Sequence, residues 1–163
     1  MSEIIKIIVF VLIILFFQIG ILPHLAVFET YPNIILGSLI SLSILKGFKK
    51  SIVWAVASGL FLDFYSLNSV VGIFVVCLLL CSYFSSFLGQ NIFKKSNFLS
   101  VISVFALTVV FYDLLVLALR GVFGLGFQFE ILTFLINVAY NTIFAIPVFY
   151  LIKKIYAGKP NKI

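Results

Sequence analysis

The chain has 163 residues, of which 64% are hydrophobic and only 10% are charged. Soluble domains have roughly 45–50% apolar and about 25% charged residues, so too few polar side chains are present here to cover a water-exposed fold. The net charge is +6, but the lysines lie in short clusters between apolar runs and form no stripe that could follow a phosphate backbone. The composition therefore predicts an integral membrane protein and no nucleic-acid partner.

Six apolar segments follow one another along the chain. The first reaches the roughly 20 residues that a membrane-crossing helix needs, and Pro23-His24 follows it where a signal-peptide cleavage site would need small residues. The block over residues 33–65 is too long for one helix and carries three lysines, so we expect two short helices joined by a hinge over residues 46–50. The predicted spans of this single all-α domain, residues 1–163, are 4–22, 34–45, 51–64, 70–88, 98–119 and 131–152.

The distribution of charge along the chain is an independent test of the predicted number of six spans. In a six-span chain, both termini and the turns over residues 46–50 and 91–97 lie on one side of the membrane, and all ten lysines fall there. The opposite side receives Arg120 and the acidic residues Glu29, Asp63, Asp113 and Glu130. Because cytoplasmic loops carry the excess of basic residues, we expect both termini in the cytoplasm.

Small residues recur at four-residue spacing along three of the predicted spans. In lipid, helices associate through close backbone approach, which small side chains permit. We interpret these positions as packing surfaces inside the bundle, with a docking face for another membrane protein as the alternative. Gly59 is expected to touch a neighbouring helix, whereas Phe74 is expected to face lipid. The recurring residues are Gly37 and Ser41, Ala55 and Gly59, and Cys81, Ser85 and Gly89.

The acidic residues and cysteines form no recognisable catalytic or metal-binding set. Asp63 and Asp113 could form the pair of an intramembrane aspartyl protease, in which two carboxyl groups share one proton. Their sequence contexts lack the signatures of such proteases, so we interpret them as residues that cap helix ends or pair with Arg120. The chain has one histidine, and Cys77 and Cys81 share one helix face, which argues against a metal site or a disulfide. We expect no enzyme, no metal and no cofactor.

The last span carries two amides on one face. This face consists of Asn137, Tyr140, Asn141 and Phe144, with Pro147 further along the span. Buried amides in a membrane form hydrogen bonds between helices, and proline kinks a helix. We therefore expect Asn137 and Asn141 to bond to a neighbouring helix, and a pocket for a small ligand is the alternative.

Residues 59–66, with the sequence Gly-Leu-Phe-Leu-Asp-Phe-Tyr-Ser, resemble the end of the third span in the family of the bacterial rod shape-determining protein MreD. Gly72 and a long apolar span follow this stretch, as in the family. Residues 22–36, in which two prolines precede an aliphatic run, look like the first outer loop of the family. Residues 141–147 and the basic end that follows look like its last span, so the resemblance covers nearly the whole chain.

The resemblance implies a non-enzymatic, six-helix component of the cell-elongation complex in the bacterial inner membrane. Its fold would be similar to that of the substrate-binding subunits of energy-coupling-factor transporters. Its implied partners, besides membrane lipid, are the bitopic protein MreC, the cytoskeletal protein MreB, and the peptidoglycan synthase RodA with its class B penicillin-binding protein. In this role the chain would be a scaffold that maintains rod cell shape.

A rival hypothesis is a subunit of a membrane transporter that binds a vitamin-like small molecule. Its pocket would open outward between Asp63 and the two amides of the last span. Under either hypothesis, the same residues are candidates for binding a partner or a ligand. They are Gly59, Asp63, Ser66, Gly72, Asp113, Asn137, Asn141 and Pro147.

The predicted topology can be checked by labelling single cysteines with a reagent that does not cross the membrane. We expect cysteines introduced at Lys95 and at the C-terminus to be protected, because the lysine-rich side is cytoplasmic. A cysteine at Glu130 is expected to be labelled. Labelling of the Lys95 position from outside the cell would contradict the six-span arrangement.

Overall fold

A computed structural model describes residues 3–26, 30–65, 71–92, 98–124 and 130–157, which include six α-helices. A 3₁₀ turn (Leu22–Leu25) follows the first helix, and a π-helical turn (Leu88–Ile92) extends the fourth. The α-helices are α1 (Glu3–Gly20), α2 (Ile34–Lys46), α3 (Phe48–Tyr65), α4 (Ile73–Phe87), α5 (Phe98–Val122) and α6 (Ile131–Ala157). The predicted all-α class with six helices is confirmed.

Three helical stretches in the described ranges are long and apolar enough to cross a membrane, namely Ile73–Asn91, Phe98–Val122 and Ile131–Ile155. Two shorter apolar helices, Leu12–His24 and Ile34–Lys46, accompany them. Together with the composition, these helices make the chain a membrane protein. The crossing of the bilayer by all six helices, and the side on which each end lies, stay predictions.

The turn between α2 and α3 is tighter than predicted. The predicted turn between two helices within residues 46–50 is present, and it consists of Gly47 alone. Lys49 and Lys50 instead lie in the first turn of α3. Gly47 has φ 79°, in the left-handed region that favours glycine, and a Cβ atom there would lie 2.7 Å from the side-chain nitrogen of Gln90. With 18 residues, α3 has a length of about 27 Å, close to the thickness of about 30 Å of the bilayer core.

Two later helices extend beyond their predicted ends. α5 continues past residue 119, through Arg120, to Val122. α6 continues past residue 152, through the lysine pair, to Ala157, and Pro147 lies inside this helix. Basic residues near the end of a span mark where the side chains reach the membrane interface. The helical backbone continues past that level, because its hydrogen bonds form equally well beside water.

α2 is the central helix of the bundle. Every residue from Ile35 to Ser43 is buried, and α2 contacts all five other helices. Its serines Ser38, Ser41 and Ser43 donate hydrogen bonds to carbonyl oxygens three or four residues earlier, at distances of 2.7 to 2.9 Å. A helix that is surrounded by other helices needs no polar face, which explains why its sequence consists of apolar and small residues.

α3 and α4 pack backbone to backbone at Gly59. A Cβ atom at Gly59 would lie 2.6 Å from the Cα atom of Val75 and 2.9 Å from its amide nitrogen. The neighbouring small residues Ala55, Cys81 and Ser85 are buried as well, in agreement with the packing interpretation.

The expectation that Phe74 faces lipid is wrong. Its side chain is half-buried and packs against the core. Phe74 follows the buried Ile73 in the first turn of α4, close to the point where α3 approaches, and the exposed face of this turn carries Val76 instead.

Replacing Gly59 with alanine should destabilise the bundle, whereas replacing Gly121 should not. The new methyl group at Gly59 would clash with backbone atoms of α4, but nothing lies within 4 Å of the corresponding position at Gly121. We expect Gly59→Ala to lower the free energy of unfolding by about 1–3 kcal/mol. Gly121→Ala should raise it slightly, because alanine is the better helix former. Thermal unfolding in detergent measures both, and equal melting temperatures would contradict the close approach.

Candidate functional site

Asp63, near the end of α3, caps the start of α4. Its side chain is only 3% exposed, and its carboxylate oxygens accept hydrogen bonds from the backbone N–H groups of Phe74 at 3.0 Å and Val75 at 3.3 Å. The first N–H groups of a helix have no acceptor within the helix, and the helix dipole favours a negative charge beside them. Gly72 occupies the N-cap position with φ 106° and has no side chain to cap the helix. Asp63 therefore supplies this cap from the neighbouring helix.

Three of the predicted site residues thus form one structural unit, the α3–α4 hairpin. Gly59 lies one turn before Asp63 and lets α4 come close enough for the carboxylate to reach its first N–H groups. Gly72 adopts the left-handed conformation that begins α4, which other residues rarely adopt. Ser66, the last residue of the family-like stretch, lies outside the described residues.

Hydrogen bonds join Asp113, Asn137 and Asn141 into a second unit. The side-chain nitrogen of Asn137 donates to Asp113 Oδ2 at 2.7 Å and so ties α6 to α5. The side-chain nitrogen of Asn141 donates to Asn137 Oδ1 at 2.6 Å and to the carbonyl oxygen of Asn137 at 2.9 Å. Of the two alternatives for the aspartates, pairing with Arg120 does not hold for Asp113, because its partner is the side chain of Asn137 and Arg120 is exposed.

This second unit reaches the start of the central helix. Asn141 Oδ1 accepts a hydrogen bond from the backbone N–H of Asn33 at 2.6 Å, and Asn33 Oδ1 accepts one from the N–H of Leu36 at 3.0 Å. Asn33 is the N-cap residue of α2. The amides of the last span therefore bond to another helix, and what they hold is the first turn of α2.

Gln18 completes the cap of α2 from the side of α1. Its Oε1 atom accepts from the N–H of Ile34 at 2.8 Å, and its Nε2 atom donates to the carbonyl oxygen of Pro32 at 3.2 Å. Neither Gln18 nor Asn33 is among the predicted site residues. Two signals were available, namely a lone amide inside an apolar span and a Pro-Asn pair directly before an apolar run.

A cluster of buried serines, also missed, lies where α2, α3 and α4 meet. The Ser82 hydroxyl bonds to those of Ser43 at 3.2 Å and Ser51 at 2.5 Å. The hydroxyl of Ser86 accepts from the N–H of Phe48, the first residue of α3, at 3.0 Å. Serine is common at helix interfaces in membranes, so only the spatial neighbours identify these four as a cluster.

An apolar groove of about 350 Å³ lies between α5 and α6. Thr142 is the one residue of its lining with a polar side chain, and Pro147 is exposed further along α6. Residues that line the groove include Ala106 and Val110 of α5 and Leu135, Val138, Ala139 and Thr142 of α6.

The polar residues of the two units are engaged in holding helices together. The Asp63 carboxylate bonds to the backbone of α4, and the Asp113 carboxylate bonds to Asn137. Cys77 and Cys81 are both buried and free. Over the described ranges, no group of three or more His, Cys, Asp and Glu side chains could hold a metal ion. The arrangement can therefore fix helix positions, and the hydrogen bonds of Asp63 and Asp113 within it go to backbone N–H groups and to Asn137.

Removing the carboxylate of Asp63 should destabilise the hairpin. Asp63→Ala leaves two buried N–H groups of α4 without an acceptor, so we expect the free energy of unfolding to fall by about 2 kcal/mol. Asp63→Asn keeps one side-chain oxygen that can accept and should lose less. Unfolding in detergent measures the free energy of unfolding of the unchanged protein and of the two variants, and we expect it to decrease in the order unchanged, Asp63→Asn, Asp63→Ala. An alanine variant as stable as the unchanged chain would show that the cap contributes nothing.

Comparison with known proteins identifies the family. A family model described as rod shape-determining protein MreD matches residues 2–155, which is nearly the whole chain. Searches of curated proteins and of solved structures found no match. The matched range includes the α3–α4 hairpin and both asparagines of α6. The chain therefore belongs to the MreD family of rod shape-determining proteins.

Proposed function

We propose that the chain is a non-enzymatic scaffold of the cell-elongation machinery in the bacterial inner membrane. In this proposal it binds an MreC-type bitopic protein, the MreB cytoskeleton, and RodA with its class B penicillin-binding protein. Residues 1–163 act as a single six-span domain with both termini in the cytoplasm. The observation that carries the proposal is the family match over residues 2–155, because the family is associated with rod shape determination.

The hydrogen bonding of the acidic residues favours a scaffold over an enzyme. A carboxylate that acts as a general acid or base must be free to exchange its proton with a substrate. Asp63 instead accepts two backbone hydrogen bonds from α4 while it is nearly inaccessible. Asp113 bonds to Asn137, whose own oxygen accepts from Asn141. These residues do what a scaffold requires, which is to fix the helices in one arrangement.

The rival hypothesis of a transporter subunit has less support. A site for a vitamin-like solute needs several polar groups that converge on one cavity. Asn141 is instead bonded to the first turn of α2, and the groove between α5 and α6 is apolar. Similarity of the fold to the substrate-binding subunits of energy-coupling-factor transporters stays a prediction.

The predicted site residues take different parts in this proposal. Gly59, Asp63 and Gly72 set the shape of the α3–α4 hairpin. Asn137 and Asn141 position α6 against α2 and α5. We assign contact with a partner to the surface beside Asp113, and a partner role for the exposed Pro147, or for Ser66 outside the described residues, stays a prediction.

Depletion of the chain from the bacterium that encodes it tests the proposed function. We expect rods to widen and become round, because the elongation machinery loses a membrane component. Purification of a tagged copy in mild detergent should recover the MreC-type protein. As matched rescue variants, Gly121→Ala should restore the rods and Gly59→Leu should not, since only the second clashes with a neighbouring helix.

Two results would contradict the proposal. One is that the cells keep their rod shape after depletion and that no elongation protein is recovered with the tagged copy, which would contradict the scaffold function. Recovery of an ATPase module in place of the MreC-type protein would favour the transporter subunit.

A further inference from the structure

α2 and α6 run side by side in the same direction and in a constant register. Asn33 bonds to Asn141 near the start of the contact, and a Cβ atom at Gly37, one turn later, would lie 3.6 Å from that of Ala145. In both pairs the residue of α6 lies 108 positions after that of α2. The same register brings the end of α2 to the level of the lysine pair of α6. This level lies about 14 Å beyond Gly37, from the helical rise per residue.

Lysines of three helices meet at this level and form what we call the basic surface. Because Gly47 alone separates α2 from α3, the lysine pair in the first turn of α3 lies at the same end of the bundle. Among the described residues, α3 and α6 both contact α2 but not each other, so their lysine pairs lie on either side of it. The members of the basic surface are Lys46 of α2, Lys49 and Lys50 of α3, and Lys153 and Lys154 of α6.

The basic surface is not balanced by negative charge within the part of the chain that the structure describes. The lysine pairs of α3 and α6 are exposed and form no ion pair with a described residue. The described acidic side chains, those of Asp63, Asp113 and Glu130, lie toward the opposite end of the bundle. Positive charges that are held together attract anions from their surroundings. The chemistry of this surface therefore calls for an anionic ligand.

Exposed apolar side chains lie one turn from each lysine pair, toward the middle of the bundle. Val53 of α3 is 46% exposed, and Tyr150 and Leu151 of α6 are 51% and 57% exposed. In a membrane protein, such a boundary between apolar and basic surface lies where the hydrocarbon core ends and the head groups begin. Lipid phosphates are therefore the anions nearest to these lysines, and an acidic segment of a soluble protein would have to displace them. This order favours lipid as the ligand.

The two lysine pairs differ in the helix dipole beside them. Lys154 lies in the last turn of α6, where the negative end of the dipole already favours a cation. Lys49 and Lys50 lie in the first turn of α3, where the positive end disfavours cations and favours an anion. An anion bound beside the pair in α3 is thus stabilised by the lysines and by the dipole together, so we expect it to bind more tightly there.

We propose that the basic surface binds the head group of an anionic phospholipid through its phosphate, most tightly at Lys49 and Lys50. The acyl chains of this lipid lie along Val53. A zwitterionic head group carries its own cation, so a lipid with a net negative charge, such as phosphatidylglycerol, is favoured. The inference goes beyond the scaffold function and requires only that the bundle lies in a membrane. A free phosphate ion and an acidic protein segment are the competing ligands.

Native mass spectrometry of the full chain in a neutral detergent tests the proposal. The protein is titrated with phosphatidylglycerol and with phosphatidylcholine that carries the same acyl chains. We expect tighter binding of phosphatidylglycerol. The double variant Lys49→Gln, Lys50→Gln should lose about fivefold in affinity for each lysine removed. Equal affinity of the unchanged protein for the two lipids, or unchanged binding in the double variant, overturns the proposal.

Three control variants separate charge from structure. Lys49→Arg with Lys50→Arg keeps the charge and should keep the preference for phosphatidylglycerol. Arg120→Gln removes an exposed cation at the opposite end of the bundle and should have no effect. Lys153→Gln with Lys154→Gln should lower the affinity less than the pair of changes in α3. An equal loss in Arg120→Gln would show that only the net charge of the protein matters and would overturn the site.

Melting without added lipid tests whether the lysines of α3 have a structural role instead. Their side chains are exposed and form no ion pair with a described residue, so we expect the glutamine variant to melt no earlier than the unchanged protein. Earlier melting of the glutamine variant, with normal melting of the arginine variant, would assign these charges to the fold and overturn the proposal.

Competition distinguishes the possible ligands. Inorganic phosphate at the concentration of the lipid should not displace phosphatidylglycerol, because it lacks the acyl chains that contact the apolar side chains beside the lysines. Displacement by phosphate would identify a site for a free ion and overturn the assignment to lipid. Tighter binding of a glutamate-rich peptide than of phosphatidylglycerol would assign the surface to an acidic protein segment, which also overturns it. None of these results depends on recovery of the MreC-type protein, so the scaffold function is tested separately.

Discussion

The first N–H groups of a helix inside an apolar bundle cannot bond to water, and the protein must supply acceptors for them. At α2, these acceptors come from side chains of α1 and α6, namely Gln18 and Asn141. At α4, the acceptor is Asp63 of α3, and at the start of α3 it is Ser86 of α4. Asn33 caps α2 locally, but each of these other acceptors lies on a different helix from the N–H group that it meets, so the helices must pack in one arrangement for these caps to form. The arrangement of the bundle depends on this requirement.

The central position of α2 follows from the same requirement. Because α2 contacts all five other helices, the caps at its first turn also fix α1 and α6 relative to one another. The hydrogen bond from Asn137 to Asp113 also fixes α5 relative to α6. The buried side chains of Gln18, Asp63 and Asn141 are thereby engaged in hydrogen bonds between helices. A bundle whose helices are joined in this way suits a membrane scaffold.

Sequence reasoning succeeded where the signal is local and failed where it depends on a neighbour. Six helices and the close approach at Gly59 could be predicted, since apolar length and small-residue spacing lie within one segment. The turn between α2 and α3 lies within the predicted residues 46–50 but is narrower, because lysine clusters mark the membrane interface and a helix can begin among them. Phe74 was assigned to lipid, but the approach of α3 covers it.

The sequence by itself determined that lipid surrounds the fold, in which order the helices follow, and which polar residues lie within apolar segments. The composition indicates lipid, and the lengths of the apolar runs give the helices. Polar residues within these runs are conspicuous because burying a polar group in lipid costs free energy. Only the tertiary structure decided which polar group meets which. Asn33 and Asn141 are 108 positions apart, and Asp113 and Asn137 are 24 apart. No periodicity encodes such pairs, because a hydrogen bond between helices depends on how whole helices pack.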